Sequence, residues 1–454
     1  MRVGIIGAGI TGLALTHYLA ERGIESLTFE ATAESGGAIS TRHVDGHVLE
    51  AGPQRMRKTP GIEELARVGG VEDDIIETHE ERLYVYANGA LSEAPLSKDA
   101  FFRTSLLSWR GKARLLAEPL TRAGRPEETV EEVFERKFGR EAYERFVGPL
   151  YGGLYGSDPA EMPAAFALEG LLEREQEAGS LLQAFRQRVG QGHTALPIAF
   201  TEGNQQLPEA LAEVYSDRIE LETPVTAIRE ANTTGSNAED GGPGYVLVTP
   251  ANEHEVDAVV VTTPAHVAAD ILTDLQTAGV ADGISGLSEL RYNPLALVFL
   301  HADHDRAGKG YQVGYDEDLH TLGVSWNATM FGRDGVHTAF LGGMHEPELL
   351  EESDERLGEI AREEFEHVMG CRASLIDVAR LDPGFPAWDQ SWWNIENVTL
   401  PAGVWLATNY TARMGIPSRV REAREIAEEL AGETADADSE GGPDGHTHVT
   451  ESDG

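Results

Sequence analysis

Gly7, Gly9 and Gly12 stand between a short apolar run, Val3 to Ile6, and a helical pattern that begins at Ile10 and Thr11. At that spacing the first glycine allows a tight turn, the second lets backbone approach a pyrophosphate, and the third lets a helix pack closely on a strand. The start of the helix then points its free N–H groups at the phosphates. Glu30 lies 18 residues past Gly12, at the end of a second strand-like run from Ser26, where a carboxylate can accept hydrogen bonds from ribose hydroxyls. Strand, turn, helix, strand and acid in one register predict a bound dinucleotide, whereas the glycines alone would fit any tight β-α turn. Beyond Glu30 come a second glycine pair, Gly36-Gly37, then Ser40, Arg42 and Glu50-Ala51-Gly52-Pro53. Near the other end of the chain, Asn409 precedes Met414-Gly415-Ile416-Pro417. There a proline suits the first turn of a helix, and the glycine before it lets N–H groups approach a negatively charged ligand.

The elements that must hold these residues read as an α/β pattern. Residues 62–200 are mostly helical by periodicity, with a Gly/Pro-rich stretch from Gly148 to Pro163, and are expected to form a helical cap. Strands are predicted around 218–230 and 245–249, split by an acidic, glycine-rich insert, Ala231 to Gly244, that reads as a hairpin loop. Val256 to Thr262 reads as a buried strand, and the runs between 293 and 345 suggest a second, mixed sheet. A strand at Val404 to Ala407 and a helix over roughly 417–431 close the folded chain. From Gly432 onward there are seven acids and no Lys or Arg, so 432–454 is expected to be a disordered tail. The domains expected are a discontinuous nucleotide domain (1–60, 201–270 and 395–431) and an α+β substrate domain, helical cap plus mixed sheet (61–200 and 271–394).

At 454 residues the chain exceeds what a single core holds, and it contains 77 Asp and Glu against 36 Lys and Arg, a formal charge of -41. Nucleic acid is therefore not expected as a partner. Only five of the basic residues are Lys, and the acid is spread along the whole chain, which points to a salt-rich host cytoplasm. At molar salt the Debye length falls to about 3 Å and the self-repulsion is screened. No run approaches the roughly 20 apolar residues of a transmembrane segment, so a soluble protein is expected. The lone Cys371 cannot form an internal disulfide and fits a reducing compartment. HExxH, paired CxxC, GxSxG and Walker A motifs are absent from the sequence, and His301 with His304 supplies too few ligands for a metal, so none is expected.

The second glycine pair with Arg42 and Gly52-Pro53 resembles the N-terminal signature of the flavin amine oxidase superfamily. Further segments resemble the protoporphyrinogen and coproporphyrinogen oxidases within it. They are Leu106 to Arg114 with Glu118-Pro119, Phe146 to Pro159, Gly179-Ser180-Leu181-Leu182, and Gly403 to Tyr410 followed by Met414 to Pro417. Together these span most of residues 1–430. The resemblance implies FAD as cofactor and Rossmann-like architecture for the nucleotide domain. It places Gly36, Gly37, Arg42, Gly52 and Pro53 towards the flavin half, and Asn409, Met414, Gly415, Ile416 and Pro417 beneath the isoalloxazine. It also has Gln205 to Leu211 opening a helix and Val225 holding the adenine through its backbone. The implied reaction is dehydrogenation of a porphyrinogen by hydride transfer to flavin N5, with dioxygen or another acceptor reoxidising the flavin. No catalytic side chain is implied. Tyr151, Tyr155 and Phe166 are candidates for the pocket wall, and a homodimer is compatible with the family.

The chain departs from the family where Glu93 stands in place of a basic residue suited to a propionate, and where Thr408 replaces a glycine. Lys98, Arg103 or Arg110 could supply the missing charge. The alternatives on the same fold are an amine oxidase or polyene desaturase, and a flavin-dependent isomerase or non-catalytic flavin-binding protein.

Overall fold

The computed structural model describes residues 1–184, 195–231, 244–411 and 415–440. Strand β1 (Arg2–Ile6) leads through the glycine turn into helix α1 (Ile10–Glu21), and the chain returns as β2 (Glu25–Phe29). Both strands belong to a five-stranded sheet in the order Ile219–Glu220, β2, β1, Ala258–Val261, Val404–Leu406. Every pairing in it is parallel. A parallel sheet needs cover on both faces. On one side α1, buried over nearly its whole length, lies beneath the C-terminal helix (Ile416–Glu440). On the other a three-stranded antiparallel meander packs close to β1, because Gly4 leaves room where a Cβ would stand 2.5 Å from Leu247 Cδ1.

The second sheet has seven strands, with Tyr292–His301 running between Ser374–Pro386 and Val336–Gly342. It takes in more of the sequence than the runs at 293–345: the hairpin Tyr84–Ala87 and Ala90–Glu93, from the stretch read as mostly helical, closes one edge, and Ser374–Pro386 forms the other. The mixed architecture is that of the expected fold class. The segment read as one strand at 218–230 is two, and Ile219–Glu220 and Ala227–Glu230 go to different sheets. The insert read as a hairpin loop lies largely outside the described residues, at 232–243, between strands that pair antiparallel.

Helices Trp109–Leu116, Val130–Phe138, Gly148–Tyr155 and Glu169–Ala178 form the cap. Thr129 starts the second with a capping box: its hydroxyl accepts from Glu132 N–H at 3.2 Å, and Glu132 accepts from Thr129 N–H at 3.0 Å. The C-terminal helix passes the boundary read near Ala431 and continues to Glu440, and residues 441–454 of the predicted tail lie outside the described residues. Among the described residues no helix is long and apolar enough to cross a membrane.

Candidate FAD site

Two glycine segments that are distant in sequence meet at the N-terminus of α1. Gly7 takes φ 108°, and Gly36 N–H donates to Ala8 carbonyl at 2.9 Å, so the second glycine pair lies along the first. Gly9 caps α1 without a side-chain hydrogen bond, leaving the N–H groups of Ile10, Thr11 and Gly12 without intrahelical acceptors. A Cβ on Gly9 would meet only Gly36 O at 3.8 Å and Gly37 Cα at 4.0 Å, while one on Gly12 would stand 2.0 Å from Gly7 O. Gly9 therefore keeps a cleft open, and Gly12 seats the helix on the turn.

Glu30 follows β2 and reaches back to this turn. Its Oε2 accepts from Ala8 N–H at 2.9 Å, and its Oε1 accepts from Thr32 N–H at 3.0 Å and Thr32 hydroxyl at 2.9 Å. Oε2 keeps a further lone-pair site for a ribose hydroxyl, and Oε1 regains one when the Thr32 hydroxyl donates instead to Glu34 carbonyl at 2.9 Å. Val225 is buried two residues beyond Thr223, whose N–H donates to Glu30 carbonyl, so its backbone borders the same end of the sheet. In Glu30→Gln one oxygen becomes an amide that cannot accept, so FAD affinity should fall about tenfold to a hundredfold, the weight of a charge-assisted hydrogen bond. Titration of apoprotein checks this, and equal affinities would remove Glu30 from the site.

The segment expected at the flavin half is braced by backbone. A Cβ on Gly52 would lie 2.1 Å from Ala38 O, and Pro53 carbonyl accepts from Asn204 Nδ2 at 2.8 Å. The helix expected after Gln205 spans Gln206–Val214, and Gln205 Oε1 accepts from Thr41 N–H at 2.8 Å. Arg42 is placed elsewhere: its guanidinium pairs with Asp377 at 2.9 Å and bonds the carbonyl of Val378, tying its hairpin to the second sheet. At the C-terminal motif Gly415 takes φ 122° ahead of the helix begun by Ile416 and Pro417. Asn409 lies between two buried neighbours, Thr408 and Tyr410. Thr408 folds the loop onto itself, its N–H donating to Thr411 Oγ1 at 2.7 Å and its hydroxyl accepting from Tyr410 N–H at 3.3 Å. Met414 and the side chain of Tyr155 lie outside the described residues.

Of the pocket candidates, Tyr151 is built into the cap: its hydroxyl donates to Ala167 carbonyl at 2.5 Å and its ring meets Phe134 edge-on at 5.1 Å. Phe166 packs on Trp393 at 4.4 Å. Glu93 sits exposed on the edge hairpin, and Arg103 pairs with Asp99 at 3.4 Å.

Sequence reasoning missed three groups. Glu50 is 3% exposed, accepts from Asn204 N–H at 3.1 Å and Thr41 hydroxyl at 3.0 Å, and faces Arg333 at 3.7 Å. Burial raises its carboxyl from 4.5 to about 7, and the two hydrogen bonds and Arg333 limit the rise. The signal was an acid in an otherwise apolar run. Unfolded, this carboxyl ionises near its ordinary value; folded, it keeps its proton to about 7. Between those values the folded chain binds more protons, so Glu50 makes stability fall as pH rises through the window and level off above it. Glu50→Gln should therefore gain on the parent by roughly 2 to 3 kcal/mol between pH 5 and pH 8, read from denaturation midpoints at constant salt. A difference independent of pH would count against this assignment.

The second missed group is basic. Arg55 is accessible to solvent, yet burial, followed by repulsion from Arg57, lowers its pKa. Lys309 is lowered by burial and then by Arg55 and Arg57, against the opposing pull of Glu81 and Glu80.

The third group explains two of the family-like segments. Glu118, fully buried, accepts from Ser180 hydroxyl at 2.7 Å and from the N–H groups of Leu181 at 3.1 Å and Leu182 at 3.3 Å. Lys137 lies between Glu118, at 3.2 Å, and Glu175, with which it also pairs.

A parallel sheet with a glycine turn, an acid at the end of the second strand bonded back to that turn, and a second glycine pair at one helix end defines a dinucleotide-binding fold. The chain belongs to the family described as flavin containing amine oxidoreductase, whose model matches residues 10–423. It is a flavin-dependent oxidoreductase, and its cofactor is FAD. Among curated relatives it is similar to protoporphyrinogen oxidase 2, chloroplastic/mitochondrial, of Arabidopsis thaliana, at 24% identity over 86% of this chain and 85% of that one. It is also similar to coproporphyrinogen III oxidase of Bacillus subtilis, at 24% identity over 81% and 83%. A solved structure from Exiguobacterium sp. 255-15 shares its fold with a TM-score of 0.76 at 22% identity, over 95% of this chain and 99% of that one. The cleft at Gly9 and the free N–H groups of α1 fit the pyrophosphate of FAD.

Proposed function

We propose that the protein oxidises a porphyrinogen, protoporphyrinogen IX or coproporphyrinogen III, with dioxygen or another acceptor taking the electrons onward. The observation that carries this reading is the basic group of Arg55, Arg57 and Lys309 in a chain of net charge -41. Arg55 stands two residues past Gly52-Pro53, the run expected at the flavin half. Arg55 and Lys309 are lowered first by burial and then by the cations beside them, so an anion among them would be favoured, which suits a substrate carboxylate and disfavours a protonated amine. They supply the charge that Glu93 does not. The similarity to protoporphyrinogen and coproporphyrinogen oxidases over most of both chains supports the same reading.

FAD, when bound, supplies the two-electron acceptor for a carbon–hydrogen bond of the substrate. The chain's own residues bind and orient. The N–H groups of Ile10 to Gly12 would hold the pyrophosphate, Glu30 the ribose, and the backbone of Val225 the adenine. Ile416 N–H, at the start of the C-terminal helix, would favour negative charge on a flavin bound beside it. The cap, held together by Glu118, would cover the substrate and keep water out, so rate would come from positioning with no protein nucleophile required.

Anaerobic mixing of the holoprotein with coproporphyrinogen, protoporphyrinogen, amines and polyenes tests the proposal. Rapid bleaching of the flavin by a porphyrinogen is expected. Bleaching by an amine or polyene alone, or by none of the four, would overturn it.

A further inference from the structure

Among the described residues, His17, Glu21 and Glu64 bring one donor atom each to within 4.8 Å of one another. His17 and Glu21 stand one helical turn apart on α1, so they share a face. Glu64 reaches across from α2 (Pro60–Gly69). The His17 side chain is 2% exposed, and its Nε2 has no hydrogen-bond partner. The nearest acceptors are Glu64 Oε1 at 3.6 Å and Glu21 Oε2 at 3.7 Å. Both distances are too long for a hydrogen bond. They are close to the spacing of two ligands on one tetrahedral ion, which for bonds of about 2.0 to 2.2 Å is about 3.3 to 3.6 Å.

The surroundings prepare the same geometry. His17 Nδ1 lies 2.7 Å from Tyr215 hydroxyl, a contact that fixes the ring plane. With Nδ1 donating, the Nε2 lone pair faces the two carboxylates, as metal-binding imidazoles are held by a partner on the other nitrogen. Arg424 takes the opposite oxygen of Glu64, Oε2, and lies over the Tyr18 ring at 4.6 Å. That contact orients Glu64, with Oε1 left towards His17.

We propose that His17 Nε2, Glu21 and Glu64 bind a divalent cation of the Zn2+ class. One imidazole and two carboxylates suit that ion. The site lies about 12 Å along α1 from Gly9, so its role is to clamp the helix that carries the glycine turn against α2 and Tyr215. It takes no part in the redox step.

The test uses full-length holoprotein, stripped with a chelator, held in molar KCl and titrated calorimetrically with Zn2+. A single site saturating at one equivalent is expected, weakened at least tenfold in Glu21→Gln and lost in His17→Gln. Zinc-edge X-ray absorption at one equivalent should show imidazole scattering in the parent. Glu21 is half-exposed, so its variant keeps the fold; should His17→Gln fail to fold, Glu21→Gln and the absorption spectrum decide. Absence of a one-equivalent site, binding unchanged in Glu21→Gln, or a spectrum without imidazole would overturn the proposal and leave the acidic surface as a diffuse cation binder.

Discussion

Replacing Gly12 with alanine will leave the purified protein almost free of flavin, with affinity for added FAD reduced at least a hundredfold and the melting temperature lowered. The new Cβ would stand 2.0 Å from Gly7 O and 3.2 Å from Gly7 C. Those atoms are backbone, in a turn whose φ of 108° already needs glycine, so the turn cannot yield and α1 must move away. The N–H groups of Ile10 to Gly12 then leave the pyrophosphate, and the packing of Leu13 and Leu15 is disturbed with them. Gly9→Ala is the informative companion. Gly9 has φ -73°, which alanine adopts freely, and its Cβ meets nothing closer than 3.8 Å. That variant should fold with apoprotein stability close to the parent and still lose FAD, because the methyl group fills the cleft left for the phosphates. Flavin-to-protein absorbance and apoprotein melting separate the two effects. Full flavin content in both variants would show that the pyrophosphate lies elsewhere.

Glu118→Ala should have the largest effect on stability of any single change in the cap, on the order of 3 to 5 kcal/mol. It removes the acceptor of Ser180 hydroxyl and of two N–H groups, and leaves Lys137, 1% exposed, with Glu175 alone. Burial alone would raise the Glu118 carboxyl, but the bonds from Ser180, Leu181, Leu182 and Lys137 outweigh it and hold the carboxyl below its ordinary value. The group is therefore ionised and matched, and truncation leaves unmatched donors in a dry interior. Loss should show as a lower denaturation midpoint in high salt and faster proteolysis within residues 98–184, with FAD affinity little changed because Glu118 touches no residue of the nucleotide site. A midpoint within experimental error of the parent would mean that water replaces the carboxylate.

The residues by themselves determined the nucleotide half of this protein. A glycine turn, the strands around it and Glu30, which bonds back to that turn, lie within the first 30 residues. Their chemistry depends on local φ/ψ and on side-chain period, both of which a linear sequence carries. The second glycine pair and the proline-started helix at Ile416 were legible for the same reason. The partner of Arg42 was not, because a basic residue in a motif does not reveal which acid it will meet; here Asp377 of a distant strand pairs with it.

Only the tertiary structure decided the rest. It divided residues 219–230 between two sheets and moved the Tyr84–Glu93 hairpin to the edge of the second sheet. It also gathered Glu118, Lys137, Glu175 and Ser180 from across the cap. His17 and Glu21 share an i, i+4 spacing on one helix, but Glu64 arrives from another helix, which no local pattern shows. In a chain with 77 acids, pattern cannot separate the few carboxylates that matter from those on a solvated surface. Burial separates them, because desolvation makes an unpartnered charge costly, and burial exists only once distant segments have packed.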